Sequence, residues 1–254
     1  MKLLFVGDVV GSRGCAFLEK KIHEIKRQHD IGLVIVNGEN SADGNGLTRK
    51  SMNWLFTFAD VITTGNHCFR RKQAMSLYDD YEMLLRPANF PQGAVGHGVC
   101  TVDMGSFSLA VVNLMGTAFM ESLENPFHCI DRILEEISTP NILVDFHAEA
   151  TSEKKALGHY LTGRVTAVVG THTHVQTSDE LVLGGHTAYI TDVGMCGAEL
   201  SVLGVKTEQA IYKQLTKCPV QFTESDNSPF INAVTVDFDS RTGKAQGIER
   251  LIIR

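Results

Sequence analysis

Apolar residues in this chain gather in short runs bounded by turn-forming residues, and most runs are followed by stretches where they recur at helical spacing. "KLLFVG" is a continuous apolar run of strand length, the pattern of a strand covered on both faces. Behind it, Leu18, Ile22 and Ile25 recur every three or four residues among charged ones, which predicts a helix. "LVIVNG" reads as a second buried strand, "TRKSMNWLFTF" as a helix and "VITTG" as a third strand. Strand alternating with helix is the pattern of a parallel sheet with crossovers.

The middle of the chain changes character. "GVCTVDMGSFSLAVVNL" predicts two strands around a turn at Met104-Gly105-Ser106. Asn125 and Pro126 open a helix as N-cap and first residue, with Ile130, Ile133, Leu134 and Ile137 as its apolar stripe. "NILVDFH" is a strand. "TSEKKALGHYLTG" is a helix begun by Thr151, with Lys154 where a capping box would carry Glu. "VTAVVGTH" and "TAYITDVG" are further strands. A helix around Lys206 to Leu215 precedes two antiparallel strands, "FINAVTVDFD" and "KAQGIERLIIR", joined by the turn Asp239 to Gly243. No linker, repeat or low-complexity segment interrupts residues 1–254, which predicts one domain. Parallel units followed by hairpins predict an α/β fold of two sheets packed together, with helices outside.

Composition bounds the function. The 254 residues, 43% of them hydrophobic, can build a sizeable core. A net charge of −6 and a pI near 5.9 give no electrostatic footprint for long nucleic acid or an anionic membrane. A small phosphate ester stays open, because bound metal ions can supply local positive charge. The cysteines, Cys15, Cys68, Cys100, Cys129, Cys196 and Cys218, are scattered with no CxxC pair, as expected for reduced thiols in a cytoplasmic protein. The opening "MKLLFVGDVVGSRG" has the lysine and apolar run of a signal peptide. Asp8 interrupts it early and no small-residue cleavage site follows, so a first buried strand is the better reading. No apolar stretch is long enough to span a bilayer.

The candidate chemistry lies in what ends each predicted strand. The first ends at Asp8, the second at Glu39 and Asn40, and the third at Asn66 and His67. Two later ones end at His147 and at His172 and His174. Parallel strands deliver their carboxyl ends to one edge, where ligands bind in open α/β sheets. Singly, each residue is an ordinary turn, cap or rim residue; jointly, they form a set of oxygen and imidazole donors with no lysine among them. His172 and His174, two apart on an extended chain, would face the same way. The set is too large for one ion and suits two, about 3.5–4 Å apart and sharing a carboxylate. Oxygen and imidazole donors suit Fe, Mn, Mg or Zn rather than a thiolate zinc centre. A dinucleotide-binding reading of "GDVVGSRG" fails, because the G-x-G-x-x-G spacing is absent and Asp8 stands where phosphate would approach.

"FVGDVVGSRG", "VIVNGENSADGNGLT", "GNH", "RPANFP", "NPF", "VDFHAEATSEK", "VVGTHTHVQT" and "TAYITDVGM" resemble the calcineurin-like metallophosphoesterases, and among them the YmdB-like subgroup of bacterial 2′,3′-cyclic nucleotide phosphodiesterases. The likeness covers nearly the whole chain. It implies a four-layer αββα sandwich, two divalent ions (Fe or Mn ahead of Mg or Zn) and attack of a metal-bridging hydroxide on phosphorus. One metal would take Asp8, Glu39, Asn40 and His174; the other would share Glu39 and take Asn66, His147 and His172. His67 resembles the catalytic histidine, which protonates the leaving oxygen or stabilises the transition state. It also makes a homo-oligomer an expectation. Val10 stands where the wider superfamily has a histidine, with Asn40 offering an oxygen instead. Arg70 replaces an acidic residue of the subgroup, Arg13 precedes rather than follows the second glycine of its loop, and "GMCGAELSVLG" departs from the subgroup's wording. These departures touch the pocket rim and not the metal set. Alternative readings are a phosphomonoesterase or RNA-directed nuclease on the same centre, and a metal-dependent regulatory protein with incidental hydrolysis.

Overall fold

The computed structural model describes residues 1–254, and its strands form two mixed sheets. In the first, β1 (Lys2–Val6), β3 (Ile31–Asn37) and β4 (Val61–Thr63) run parallel. β12 (Pro229–Phe238) lies antiparallel to β1 and also pairs with β13 (Ala245–Ile253). β2 (Asp8–Val9) follows β1 after one residue and pairs with β11 (Met195–Ala198), which joins β12. The second sheet has the order β5 (Val99–Asp103), β6 (Ser108–Met115), β7 (Ile142–His147), β8 (Ala167–Thr171), β10 (Thr187–Ile190), β9 (Leu181–Leu183). Its four central strands, β6 to β8 and β10, are parallel.

Side-chain alternation sorts the apolar runs into layers. Leu3, Phe5, Leu33 and Ile35 share a core with Val111, Leu143, Val169 and Ile190 of the second sheet. Their neighbours Leu4, Val6, Val34 and Val36 point the other way. They pack on Leu18, Ile22 and Ile25 of α1 (Gly11–His29) and on Met52 and Leu55 of α2 (Arg49–Leu55). Likewise Val112, Val144, Phe146 and Val168 pack on Ile130 of α4 (Pro126–Glu136) and Leu157 of α5 (Thr151–Tyr160). The result is the expected α/β sandwich of four layers, αββα. Each buried aliphatic side chain contributes about 1.5–3 kcal/mol, so a one-residue slip of any central strand would move a whole set to the wrong layer.

Three short strands, β2, β9 and β11, and the single turn α3 (Leu77–Asp80) were not predicted; they are two to four residues long. α5 differs from expectation at its start. Ala150 is the N-cap and makes no side-chain cap, and Thr151 is the first helical residue. Lys154 does not cap anything: it is buried and points to the second sheet's rim. α6 (Thr207–Thr216) follows Lys206 as N-cap. No helix is long and apolar enough to cross a membrane.

Candidate metal centre

All eight residues singled out in the sequence come together where the two sheets present the carboxyl ends of their parallel strands. Asp8 opens β2, Glu39 and Asn40 follow β3, and Asn66 and His67 follow β4. His147 is the last residue of β7, and His172 and His174 follow β8. The first five therefore come from one sheet and the last three from the other. Asp8, Glu39, Asn40 and His147 are buried, and donor atoms of Asp8, Glu39 and His147 lie within 4.8 Å of one another.

Glu39 is central. Its Oε1 lies 3.3 Å from both His147 Nε2 and His67 Nδ1, and its Oε2 accepts the His67 N–H at 3.0 Å. His147 Nε2 is also 2.9 Å from Asn66 Oδ1 and 3.1 Å from His172 Nδ1. On the other side, Asp8 Oδ1 is 3.7 Å from His174 Nε2, which is 3.2 Å from the Asn40 amide nitrogen. Asp8 Oδ2 accepts the His172 N–H at 3.1 Å. Two clusters thus flank Glu39: Asn66, His147 and His172 on one side, Asp8, Asn40 and His174 on the other.

The paired histidines reach these positions by a different route from strand alternation. β8 ends at Thr171, and His172 and His174 lie in the following turn with φ of 105° and 63°. A left-handed backbone at two non-glycine residues is costly and persists where surrounding contacts fix it, often at functional sites. The turn sends the two imidazoles to different clusters.

Neighbouring residues fix the protons. Thr171 Oγ1 donates to Asp145 Oδ1 at 2.8 Å, so it must accept from His147 Nδ1–H at 2.9 Å. That leaves His147 Nε2 facing Asn66 Oδ1 and Glu39 Oε1, both acceptors. His172 Nε2 meets Glu149 Oε2 at 3.0 Å, which turns Nδ1 toward His147. A carboxylate behind an imidazole orients it as a metal ligand. Gly65 gives the His147 ring its space, since a Cβ there would come within 2.1 Å of ring carbon Cδ2.

Charge completes the case for a cation. Asp8 and Glu39 are buried without a lysine or arginine partner, an arrangement that costs several kcal/mol unless a positive charge joins them. Burial raises the Asp8 carboxyl above its ordinary range. Burial also works against ionised Glu39, but His147 and His67 outweigh it and hold the group well below its usual value. His147 loses by burial yet is pushed up to about 9 by Glu39 and Asp8. Burial, then the charge of His147, pushes His172 down to about 3. Without a metal, a proton on His147 Nε2 does what a cation would do among converging acceptors. The donor set therefore fits bound metal.

Asn40 turns its Nδ2 to Asp8 Oδ1 at 3.4 Å and Glu39 Oε1 at 3.3 Å, and its Oδ1 lies 2.8 Å from His67 Nδ1. As an oxygen ligand it would make a half-turn about its last bond, with Nδ2 then donating to His67. Sequence reading missed Thr171, Asp145, Glu149 and the buried pair Lys154–Asp192, whose Nζ and Oδ2 are 2.6 Å apart. Asp192 also accepts the N–H of Thr173, between the two histidines, at 3.0 Å. Lys154 had one readable signal: it precedes Leu157 by three residues, on the same apolar stripe.

The sequence matches the YmdB-like protein family over residues 4–251. The chain belongs to that family. It is 46% identical to the 2′,3′-cyclic-nucleotide 2′-phosphodiesterase of Bacillus subtilis, over 100% of this chain and 97% of that protein. A crystal structure described as a novel phosphatase from Mycoplasma pneumoniae superposes with TM-score 0.95 at 32% identity, covering 100% of this chain and 93% of the other. A protein from Thermus thermophilus superposes with TM-score 0.94 at 40% identity, over 99% and 98% of the two chains. The calcineurin-like phosphoesterase YfkN of Bacillus subtilis shares the fold at 11% identity, with TM-score 0.55 over 100% of this chain and 90% of that one.

Proposed function

We propose that this YmdB-like chain is a cytoplasmic, single-domain phosphodiesterase that hydrolyses small phosphodiesters, 2′,3′-cyclic nucleotides foremost, with two divalent ions. The observation that carries the reading is the pair of donor clusters around buried Glu39. The activity named for the 46% identical Bacillus subtilis protein supports the substrate class. Asp8, Asn40 and His174 would hold one ion, Asn66, His147 and His172 the other, and Glu39 would join both. When bound, the ions supply a nucleophile at neutral pH and neutralise the phosphate oxygens.

The side chains do the rest. Thr171 and Asp145 hold one His147 proton on Nδ1, and Glu149 holds the His172 proton on Nε2, so that once the second His147 proton is displaced from Nε2 each would present a lone pair to the centre. His67 is a quarter exposed. Were Asn40 to make the half-turn that brings its Nδ2–H to His67 Nδ1, the ring's remaining proton would sit on Nε2. There it can be given to the departing 2′ or 3′ oxygen as the ester bond breaks, which is general-acid assistance.

The test uses protein purified without chelator. Two equivalents of Fe or Mn per chain, with turnover of cyclic nucleotides and a chromogenic diester well above that of a monoester or RNA, bears the reading out. Fewer than two ions per active chain, or a monoester as the best substrate, overturns it. The latter outcome would favour the second reading, a phosphomonoesterase, which the Mycoplasma pneumoniae relative described as a phosphatase motivates.

A further inference from the structure

A cavity of about 430 Å³, within the range of small-ligand sites, adjoins the metal centre. Asn66 and His172 of the centre line it, together with Phe90, Phe119 and Met120. Phe90 is fixed edge-to-face on Phe69, with ring centroids 5.4 Å apart. Phe119 is the opposite: the residue is 92% exposed and its φ is +63°. A bulky residue held in the left-handed region with its ring in water is unusual on both counts.

The loop that holds it is tied to the centre. Gly116 N donates to the carbonyl of His147 at 3.0 Å. Thr117 N and Oγ1 both donate to Glu153 Oε1, at 2.9 and 3.2 Å, and Ala118 N donates to Oε2 at 3.3 Å. Glu153 lies in the first turn of the helix that follows His147, so ring and metal centre share one frame. Arg70 and Glu121 also line the cavity, and neither takes part in any of the chain's ion pairs. They are a free donor and a free acceptor beside an aromatic face.

We propose that this cavity is a nucleobase subsite, with Phe119 as the platform on which the base stacks and Arg70 and Glu121 meeting the base edge. A phosphodiester without a base uses the metal centre alone; one carrying a nucleoside uses both. Stacking on an aromatic side chain tolerates every base, and the guanidinium and carboxylate add the directional contacts that base edges take. The proposal rests on the phosphodiesterase reading for its substrate, and its test does not need turnover.

Calorimetric titration of the metal-loaded chain with adenosine 3′-monophosphate and with ribose 5-phosphate measures what the base contributes. We expect the nucleotide to bind at least about tenfold tighter, and Phe119→Ala to abolish that difference with metal content intact; tenfold lies within the range for one stacked base. Phe119→Trp, which keeps an aromatic face, should retain the preference. The ratio of kcat/KM for a cyclic nucleotide over methyl p-nitrophenyl phosphate should fall by the same factor in Phe119→Ala. Equal binding of the two ligands, a preference that survives Phe119→Ala, or an effect of Phe119→Ala on self-association alone overturns the subsite. An intact base preference in a protein that hydrolyses no diester would instead sink the phosphodiesterase reading and leave the subsite standing.

Discussion

His67 differs from the other histidines of the centre in what surrounds it. His147 and His172 each have one nitrogen occupied by a supporting group and the other aimed at the clusters. His67 instead meets Asn40 and Glu39 through Nδ1, and its Nε2 makes no hydrogen bond to the protein. His67→Ala should therefore lower kcat by about 100-fold or more, the usual worth of a positioned acid, with two metals still bound by elemental analysis. A variant that loses metal in step with activity would make His67 a ligand instead. His147 supplies a prediction in pH. Its folded-state value of about 9 lies above the ordinary 6.5, so in chelated protein its stabilising contribution is whole below about pH 6.5 and is lost as pH rises through about 9. Metal must displace that proton, so manganese affinity of the chelated protein should rise with pH, by up to about tenfold per unit, and level off near pH 9. A pH-independent dissociation constant between pH 6.5 and 9 would contradict the placement of the proton. The candidate ligand residues themselves were legible in the sequence because each sits at the end of an apolar run. Their supports were not: Asp145 lies inside β7 and Thr171 closes β8, positions where a polar residue has no local signature until its partner across the sheet is known.

At the scale of elements, α5 carries more of the centre than its sequence suggests. Two successive residues in its first turn go to two different loops. Glu153 holds Thr117 and Ala118, and Lys154 reaches Asp192, which grips the backbone between His172 and His174. Both members of the Lys154–Asp192 pair are 1% exposed, and removing one partner of such a pair costs about 3–5 kcal/mol. Lys154→Ala should lower the melting temperature by about 6–20 °C, taking about 2–4 °C per kcal/mol for a chain of this size. It should also weaken metal binding, because the histidine turn loses its anchor. Unchanged metal affinity in a destabilised protein would confine Lys154 to the core. Glu153→Gln keeps shape and removes charge. It should raise KM for cyclic nucleotides more than it lowers kcat, and Glu153→Asp should recover part of the loss. Helices and long strands were legible from periodicity, whereas β2, β9 and β11 owe their pairing to partners distant in the chain, such as Met195 on Asp8, and to no pattern of their own.

For the whole molecule, the decisive feature is that the centre belongs to neither sheet. The apolar runs announced the α/β class and the two layers of strands, since alternate residues had to be buried on both faces. They could not say that the site residues divide five to three between the sheets, because that depends on how one sheet lies on the other. This division has a consequence for stability. Glu39, from the first sheet, and His147, from the second, approach to 3.3 Å, so a cation bound between them ties the layers together at the rim. Without it, two buried carboxylates must be balanced by a proton on one imidazole. Metal that binds only the folded chain adds about 4 kcal/mol at a free concentration 1,000 times its dissociation constant, or about 8–16 °C in melting temperature. Chelation should produce a drop of that size, reversed by adding back Mn or Fe, and should increase hydrogen exchange at the ends of both β3 and β7. A drop without the exchange at β7, or exchange confined to one sheet, would mean that metal steadies a single loop cluster and does not bridge the layers.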